Sequence, residues 1–400
     1  FGHRETGRRS EAYDEGVRIV DFSLLIKPAS ADCNLRCEYC FYLGRAALYP
    51  EADVHRMSDA VLERLVRDYL ATPQAAYAFV WQGGEPLLMG DRFYERVTDL
   101  QMAYAPRGAV VSNSIQTNAT LLNDRLARQF RAYRFLTGIS LDGPARLHDA
   151  ARKDIAGRGS HAKVLQGIAC LERNGAAYNV LTLISKHNSA YPVEIYDYLV
   201  KEVGATFLQF IECVEIDGEG RVAPYCVAPD EWGTFLCAVF DRWYANDARR
   251  ISVRLFDTII AKLVTGKNIC CTAGLDCRQY FVVEHNGDVY PCDFHVLPDW
   301  KLGNVQTHTW AEMAESKTFE AFGRRKFETH ETCRACPFFR FCAGDCPKNR
   351  VGHTSGSAKK LSHLCEGWKR FYEHTLPRFE KLAAVVRNER TAKTNGGAWH

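Results

Sequence analysis

Residues 22–40 read Phe22-Ser23-Leu24-Leu25-Ile26-Lys27, then Pro28-Ala29-Ser30-Ala31-Asp32, then Cys33-Asn34-Leu35-Arg36-Cys37-Glu38-Tyr39-Cys40. The first six residues are an apolar run of strand length, closed by a proline. The last eight carry three cysteines in the pattern C-x3-C-x2-C. A strand running into a loop of metal-type ligands suits an α/β fold, where chemistry sits at the carboxyl ends of parallel strands.

Working outward, strand-like and helix-like stretches alternate. Strands are expected at Phe22–Lys27, Tyr77–Trp81, Val110–Gln116, Phe135–Ser140, Tyr178–Ile184 and Thr206–Ile211. Amphipathic helices are expected between them. In Ser58–Leu70, Ser58 is a candidate N-cap, and Val61, Leu62, Leu65, Val66 and Tyr69 share one face. Further helices run from about Asp91 to Tyr104, Asn123 to Arg131, Ser160 to Asn174 and Tyr191 to Val203. Six β/α repeats imply a parallel sheet. Six fall short of the eight that close a full barrel, so an open, partial barrel and a doubly wound sheet both remain.

From Pro229 to Val264 two more helices are expected, and then the character changes. Residues 270–370 are rich in Cys, Gly, Pro and Asp. Phe281–Glu284 and Asn286–Tyr290 read as a hairpin turning at Asn286-Gly287. Trp368–Arg387 reads as a helix, and the final TAKTNGGAWH as a frayed tail. The expected organisation is an extension at 1–20, a barrel at 21–228, a helical linker at 229–269, a cysteine-rich domain at 270–370, and a C-terminal helix and tail at 371–400.

Composition excludes several classes. Of the 400 residues 46% are apolar and 25% charged, so the chain can bury a sizeable core. The net charge of +3 gives no argument for nucleic acid or an anionic membrane as partner. No apolar run is long enough to span a bilayer. The charged stretch after Phe1 contains no secretory signal pattern.

The 16 cysteines are unevenly placed. Three occupy positions 33, 37 and 40, and nine fall between 270 and 365. Gaps of two, three and five residues are ligand spacing rather than loop-closing spacing. A cubane [4Fe–4S] cluster takes four thiolates. Three ligands would leave one iron open, as catalytic metal sites do. A zinc site borrowing a distant fourth ligand is the competing use. Trp81-Gln82-Gly83-Gly84-Glu85-Pro86 follows the second strand. Its two glycines let the backbone approach a ligand closely, and Glu85 offers an anionic acceptor.

Together the triad and the GGEP stretch resemble the radical S-adenosylmethionine (radical SAM) superfamily. The resemblance implies that Cys33, Cys37 and Cys40 hold a [4Fe–4S] cluster and that SAM chelates its open iron. Cleavage of SAM would then yield a 5′-deoxyadenosyl radical. Matching stretches imply further SAM contacts at Tyr39, Gly83, Gly84, Glu85, Ser140, Arg152 and Val214. Arg152 is expected to meet the SAM carboxylate. Val214 stands where the family usually has Leu, near the adenine.

The C-terminal cysteines resemble the SPASM extension, which holds two auxiliary [4Fe–4S] clusters; a pair of zinc ribbons is the competing reading. The family arrangement implies Cys271, Cys277, Cys292 and Cys346 for the first cluster, and Cys333, Cys336, Cys342 and Cys365 for the second. Cys270 competes with Cys271. Cys170, Cys213, Cys226 and Cys237 are left as small buried hydrophobes.

Within SPASM enzymes the chain is most similar to the anaerobic sulfatase-maturating enzymes. The stretches that carry this include Leu141-Asp142-Gly143-Pro144, Phe207-Leu208-Gln209-Phe210-Ile211 and Val289-Tyr290-Pro291-Cys292-Asp293-Phe294. The resemblance implies oxidation of a Cys or Ser in a sulfatase polypeptide to Cα-formylglycine. It implies Asp293 as catalytic base, with Gln82 and Tyr42 lining the substrate site. It also implies an electron donor such as flavodoxin or ferredoxin. Oxygen-labile clusters imply a reducing cytoplasm. The alternative is a SPASM enzyme that cross-links, epimerises or forms a thioether in a ribosomal peptide.

Overall fold

A computed structural model describes residues 21–217, 219–351 and 360–395. The expected extension at 1–20 and the last five residues of the expected tail lie outside the described residues. The six expected strands form within a residue of their predicted bounds: β1 (Ser23–Lys27), β2 (Ala76–Trp81), β3 (Val110–Thr117), β4 (Leu136–Ser140), β5 (Tyr178–Ile184) and β6 (Phe207–Glu212). They pair in parallel in the order in which they occur. A doubly wound sheet would reverse direction at a switch point. This one never reverses, so it is the open, partial barrel.

The helices follow the pattern of apolar residues. α1 (Asp59–Leu70) is capped by Ser58, whose side chain accepts from the Val61 amide. It buries Val61, Leu62, Leu65, Val66 and Tyr69, the face read from the sequence. α2 (Asp91–Tyr104) and α3 (Asp124–Ala132) continue the outer layer, and Asn123 caps α3. A short helix, α4 (Ala145–Ala151), occupies a stretch where no helix was expected. Its seven residues are too few for periodicity to register. α5 (His161–Arg173) and α6 (Pro192–Asp197) complete the layer, and α6 runs on into a π turn through Glu202. The two helices expected next are α7 (Pro229–Asn246) and α8 (Arg254–Thr265).

The cysteine-rich segment does not stand apart from the barrel. Its first hairpin, β8 (Tyr280–Glu284) and β9 (Asp288–Tyr290), turns at Asn286-Gly287 as expected, with Gly287 at φ +89°. β8 then adds in parallel to the free edge of β1, in a register that sets Lys27 opposite Glu284. β9 and β10 (Gly303–Asn304) extend that side antiparallel, and a two-residue strand, β7 (Ser252–Val253), pairs with β6 at the other side.

The last helix, Cys365–Asn395, is longer than expected and takes in half of the stretch read as a frayed tail. It packs on α7 at a point of close approach: a Cβ on Gly367 would lie 2.1 Å from the Pro229 carbonyl oxygen. Trp232 and Trp368 meet edge to face beside it, with ring centroids 5.6 Å apart. Among the described residues no helix is long and apolar enough to cross a membrane.

Candidate active site

The cysteine triad lies on a loop held from behind like a strand. Arg36 N donates to Lys153 O at 2.7 Å and Glu38 N to Ala151 O at 3.1 Å. Leu35 bridges to Asp154 and is buried. Cys33 Sγ accepts from Leu35 N at 3.4 Å and Asn118 Nδ2 at 3.8 Å. Burial pushes the Cys33 thiol up to about 12, with the Glu85 charge adding to it. Ligation therefore has to be coupled to proton loss from these thiols.

The GGEP loop is stitched to this loop. Gly84 N donates to Ser30 O and Glu85 N to Asp32 O, each at 2.7 Å. A Cβ on Gly84 would lie 2.0 Å from Asp32 O, and one on Gly83, at φ +136°, 2.8 Å from Ser30 O. The sequence reading gave these glycines to a ligand. The structure gives their missing side chains to the backbone just ahead of Cys33. Glu85 also departs from expectation, because its carboxylate is consumed internally. It accepts from Leu87 N at 2.9 Å, Thr117 Oγ1 at 2.7 Å and Asn118 N at 2.8 Å. No part of it is exposed, and burial raises it to about 7. The glycine-rich backbone, not the acid, is what this loop offers a ligand.

Arg152 was expected to be free to take a carboxylate. It already holds one, pairing with Asp142 through Nε at 2.8 Å and Nη2 at 3.2 Å. Tyr39 OH donates to the same carboxylate, and Arg152 lies over the Tyr39 ring at 5.3 Å. The Arg152 charge and the hydrogen bond from Tyr39 hold Asp142 below the usual carboxylate range against the opposing effect of burial. His148 underpins this group, its Nδ1 accepting from Asp142 N at 3.2 Å. Ser140, half-buried at the end of β4, accepts from Gln116 Nε2 at 3.0 Å. Val214 is fully buried after β6 and belongs to the barrel core.

The C-terminal cysteines separate into the two expected groups. Cys333, Cys336, Cys342 and Cys365 line one cavity together with Trp368 and Tyr372. The Cys271 thiol is raised first by its hydrogen bond with Cys270 and by burial, with the charges of Cys346 and Cys292 adding to it, and Cys277 acts on Cys292 by charge in the same way. Cys270 thus stays beside Cys271, with Thr272 Oγ1 at 3.3 Å from its sulfur. Among the described residues no three His, Cys, Asp or Glu side chains converge on a single-ion point. Four thiols spread round one cavity suit a multi-iron cluster.

Asp293 stands where the two halves meet. Cys292 is extended, at φ −160° and ψ 146°, so neighbouring side chains take opposite faces. The Cys292 sulfur faces the Tyr280 hydroxyl at 3.4 Å. Asp293 faces the barrel mouth, where Gln82 Nε2 donates to its Oδ2 at 2.6 Å and Lys27 Nζ contacts its Oδ1. Tyr42, also expected at the substrate site, packs its ring under Lys27 and donates to Glu284. Lys27, Asp142 and Glu284 were not singled out as site residues from the sequence. The available signal for Lys27 was its place on the same strand face as Leu25.

Comparison with known proteins agrees with this geometry. The family model of the Radical SAM superfamily matches residues 28–199, and that of an iron–sulfur cluster-binding domain, SPASM, matches residues 271–337. The chain is 37% identical to a serine-type anaerobic sulfatase-maturating enzyme of Bacteroides thetaiotaomicron, over 92% of each chain. It is 36% identical to a cysteine-type enzyme of Clostridium perfringens, over 91% of this chain and 99% of that one. A solved structure of native anSMEcpe with bound AdoMet superposes with a TM-score of 0.84 at 35% identity, over 91% of this chain and 100% of that one. Triad, stitched glycine loop, paired cysteine groups and interfacial Asp293 thus stand in a chain that belongs to the anaerobic sulfatase-maturating enzymes, radical SAM proteins with a SPASM domain.

Proposed function

We propose that the protein oxidises a Cys or Ser residue of a sulfatase polypeptide to Cα-formylglycine, with Asp293 as the base. Cys33, Cys37 and Cys40 would hold the SAM-binding [4Fe–4S] cluster. Cys271, Cys277, Cys292 and Cys346 would hold one auxiliary cluster, and Cys333, Cys336, Cys342 and Cys365 the other. SAM would lie against Gly83, Gly84, Tyr39, Ser140 and Val214, with Arg152 and Asp142 as one unit below it. When bound, these groups supply hydrogen-atom abstraction from the substrate Cβ and a sink for one electron.

The chain's own residues handle the proton. Oxidising –CH2–XH to –CH=X removes one hydrogen atom, one proton and one electron. Asp293 is nearly buried, with Gln82 on its Oδ2 and Lys27 against its Oδ1, and its carboxylate is the group that would receive the X–H proton. With Cys as substrate, water then replaces sulfur to give the aldehyde.

The observation that carries the reading is the position of Asp293. It lies one residue from Cys292 and within 2.6 Å of Gln82, the residue just before the GGEP motif, so one carboxylate joins the SAM half to the auxiliary half. The donor of electrons is read as a flavodoxin or ferredoxin, and the setting as a reducing cytoplasm.

The test is anaerobic reconstitution with iron, sulfide, SAM and reductant, using peptides that carry C-x-P-x-R or S-x-P-x-R. Mass spectrometry should find two hydrogens lost from the Ser peptide or an aldehyde replacing the Cys thiol. SAM turnover that leaves both peptides unchanged would move the assignment to ribosomal-peptide modification.

A further inference from the structure

Lys27 is fully buried at the carboxyl end of β1. A buried ammonium is costly unless opposite charge meets it, and Lys is among the residues least often found inside. Nothing in the chemistry above accounts for it.

Its surroundings are specific. Nζ contacts Asp293 Oδ1 and sits 3.7 Å from the centre of the Tyr42 ring. Register places Glu284 directly across from it on β8. Glu284 is also fully buried, and Tyr42 OH donates to its Oε1. His285 Nδ1 lies 3.3 Å from the other oxygen, Oε2. The ammonium thus meets one carboxylate directly, and the ring beneath it is tied to a second. The contact with Asp293 is one of charge: neither Lys27 Nζ nor Asp293 Oδ1 has a directional hydrogen-bond partner in the described chain.

We propose that Lys27 is a positioning residue for Asp293, and that Glu284 and Tyr42 hold Lys27 in turn. Gln82 fixes one oxygen of Asp293 by a hydrogen bond. Lys27 fixes the other by charge, so the carboxylate cannot rotate away from an incoming Cβ substituent. Without Lys27, Asp293 keeps only its Gln82 anchor. This rests on the reading of Asp293 as the base.

The alternative is that Lys27 only secures the seam between β1 and β8. A double-mutant cycle separates the two roles, because residues acting through one another do not add. Lys27→Met, Lys27→Arg, Asp293→Asn and Lys27→Met/Asp293→Asn are compared as cluster-loaded enzymes. Iron content, SAM binding by equilibrium dialysis, SAM cleavage and peptide oxidation are all measured.

Lys27→Met should keep its iron, bind SAM and cleave it, yet lose ~10²-fold in kcat for peptide oxidation, the lower end of the loss of a positioned base. Its peptide KM should move little, and Lys27→Arg should recover a large part of the rate. In the Asp293→Asn background, Lys27→Met should cost less than ~2-fold further, because its target is gone. Losses that multiply across the cycle would overturn the proposal. So would iron content, SAM binding and both activities falling together. If Lys27→Met fails to fold, comparison of Asp293→Asn with the double variant still decides, since removing both partners of a buried pair is tolerated better than removing one. Wild-type enzyme in the same assay keeps the outcomes distinct: no peptide oxidation there removes the maturase reading and this proposal with it, whereas oxidation with multiplying losses removes this proposal alone.

Discussion

Lys27 on β1 and Glu284 on β8 stand directly opposite one another in the parallel register that joins the cysteine-rich domain to the barrel sheet. Cys292 and Asp293 are therefore positioned relative to the barrel by one continuous sheet. Asp293 follows β9 by only two residues, so its place relative to Gln82 on the barrel side is set by strand pairing.

Replacing Asp293 by Asn should separate two activities. Asn keeps the shape and can still bond Gln82, but it is no base near neutral pH. Peptide oxidation should fall by ~10²–10⁴-fold while SAM cleavage continues. The measurement is 5′-deoxyadenosine formed per formylglycine formed. Wild-type oxidation rates in a fully loaded Asp293→Asn enzyme would remove Asp293 from the mechanism.

Iron content tests the cysteine grouping. Three, four and four thiolates correspond to three cubanes and roughly twelve irons. Changing Cys33, Cys37 and Cys40 together to Ala should remove about four irons and all SAM cleavage, leaving about eight. An assay near four irons in the parent enzyme, or zinc in the C-terminal sites, would refute the grouping.

Gly84→Ala should disable the protein without touching a ligand. The new methyl would sit 2.0 Å from the Asp32 carbonyl oxygen, which is backbone and cannot step aside. Relief requires breaking the Gly84–Ser30 and Glu85–Asp32 hydrogen bonds. Overpacking at such a site costs about 1–3 kcal/mol, before the lost hydrogen bonds are counted. A lower denaturant midpoint and poor iron loading at the triad are expected. A variant with wild-type midpoint and full iron would show that the stitch does not hold the loop.

Acid should cost stability through His148. The ring is fully buried and its Nδ1 accepts from Asp142 N, so burial keeps it neutral and lowers it from 6.5 to about 4. Between those values the unfolded chain binds a proton there that the folded chain does not. Stability from this residue is therefore complete above pH 6.5 and is lost as pH falls toward 4. The gap corresponds to on the order of 3 kcal/mol. His148→Gln should flatten the fall in unfolding free energy between pH 7 and pH 5. An unchanged slope would mean that other groups carry it.

Much of this architecture could be read from the chain. The six strands and the Ser58 cap follow from local patterns that survive folding, because period, cap and turn residues act on their own neighbours. The assignment of the C-terminal cysteines to two groups came from the family resemblance, because Cys346 is cut off from Cys271, Cys277 and Cys292 by three cysteines of the other group. Side-chain partnerships across the sheet were not legible. Glu85 read as a ligand-facing acid, yet it closes on Thr117 and Asn118, more than thirty residues away. Arg152 was read as the partner of the SAM carboxylate, and its pairing with Asp142, which a turn after β4 brings under it, was not foreseen. Lys27 was read only as the last residue of a strand, and the register with β8 makes it interior. Such pairings depend on where distant segments land, and a single sequence carries no local sign of that.

The addition of β8 to β1 also constrains how the molecule is made. The first described strand waits for a partner more than 250 residues downstream, so its backbone edge stays open until most of the chain has left the ribosome. An unpaired edge of apolar strand is a template for mispairing, and contacts this far apart in sequence form slowly. A truncation after residue 269 would therefore not isolate a finished barrel. It would leave Ser23–Lys27 exposed along one side, with Lys27 short of Asp293, and self-association is its expected fate.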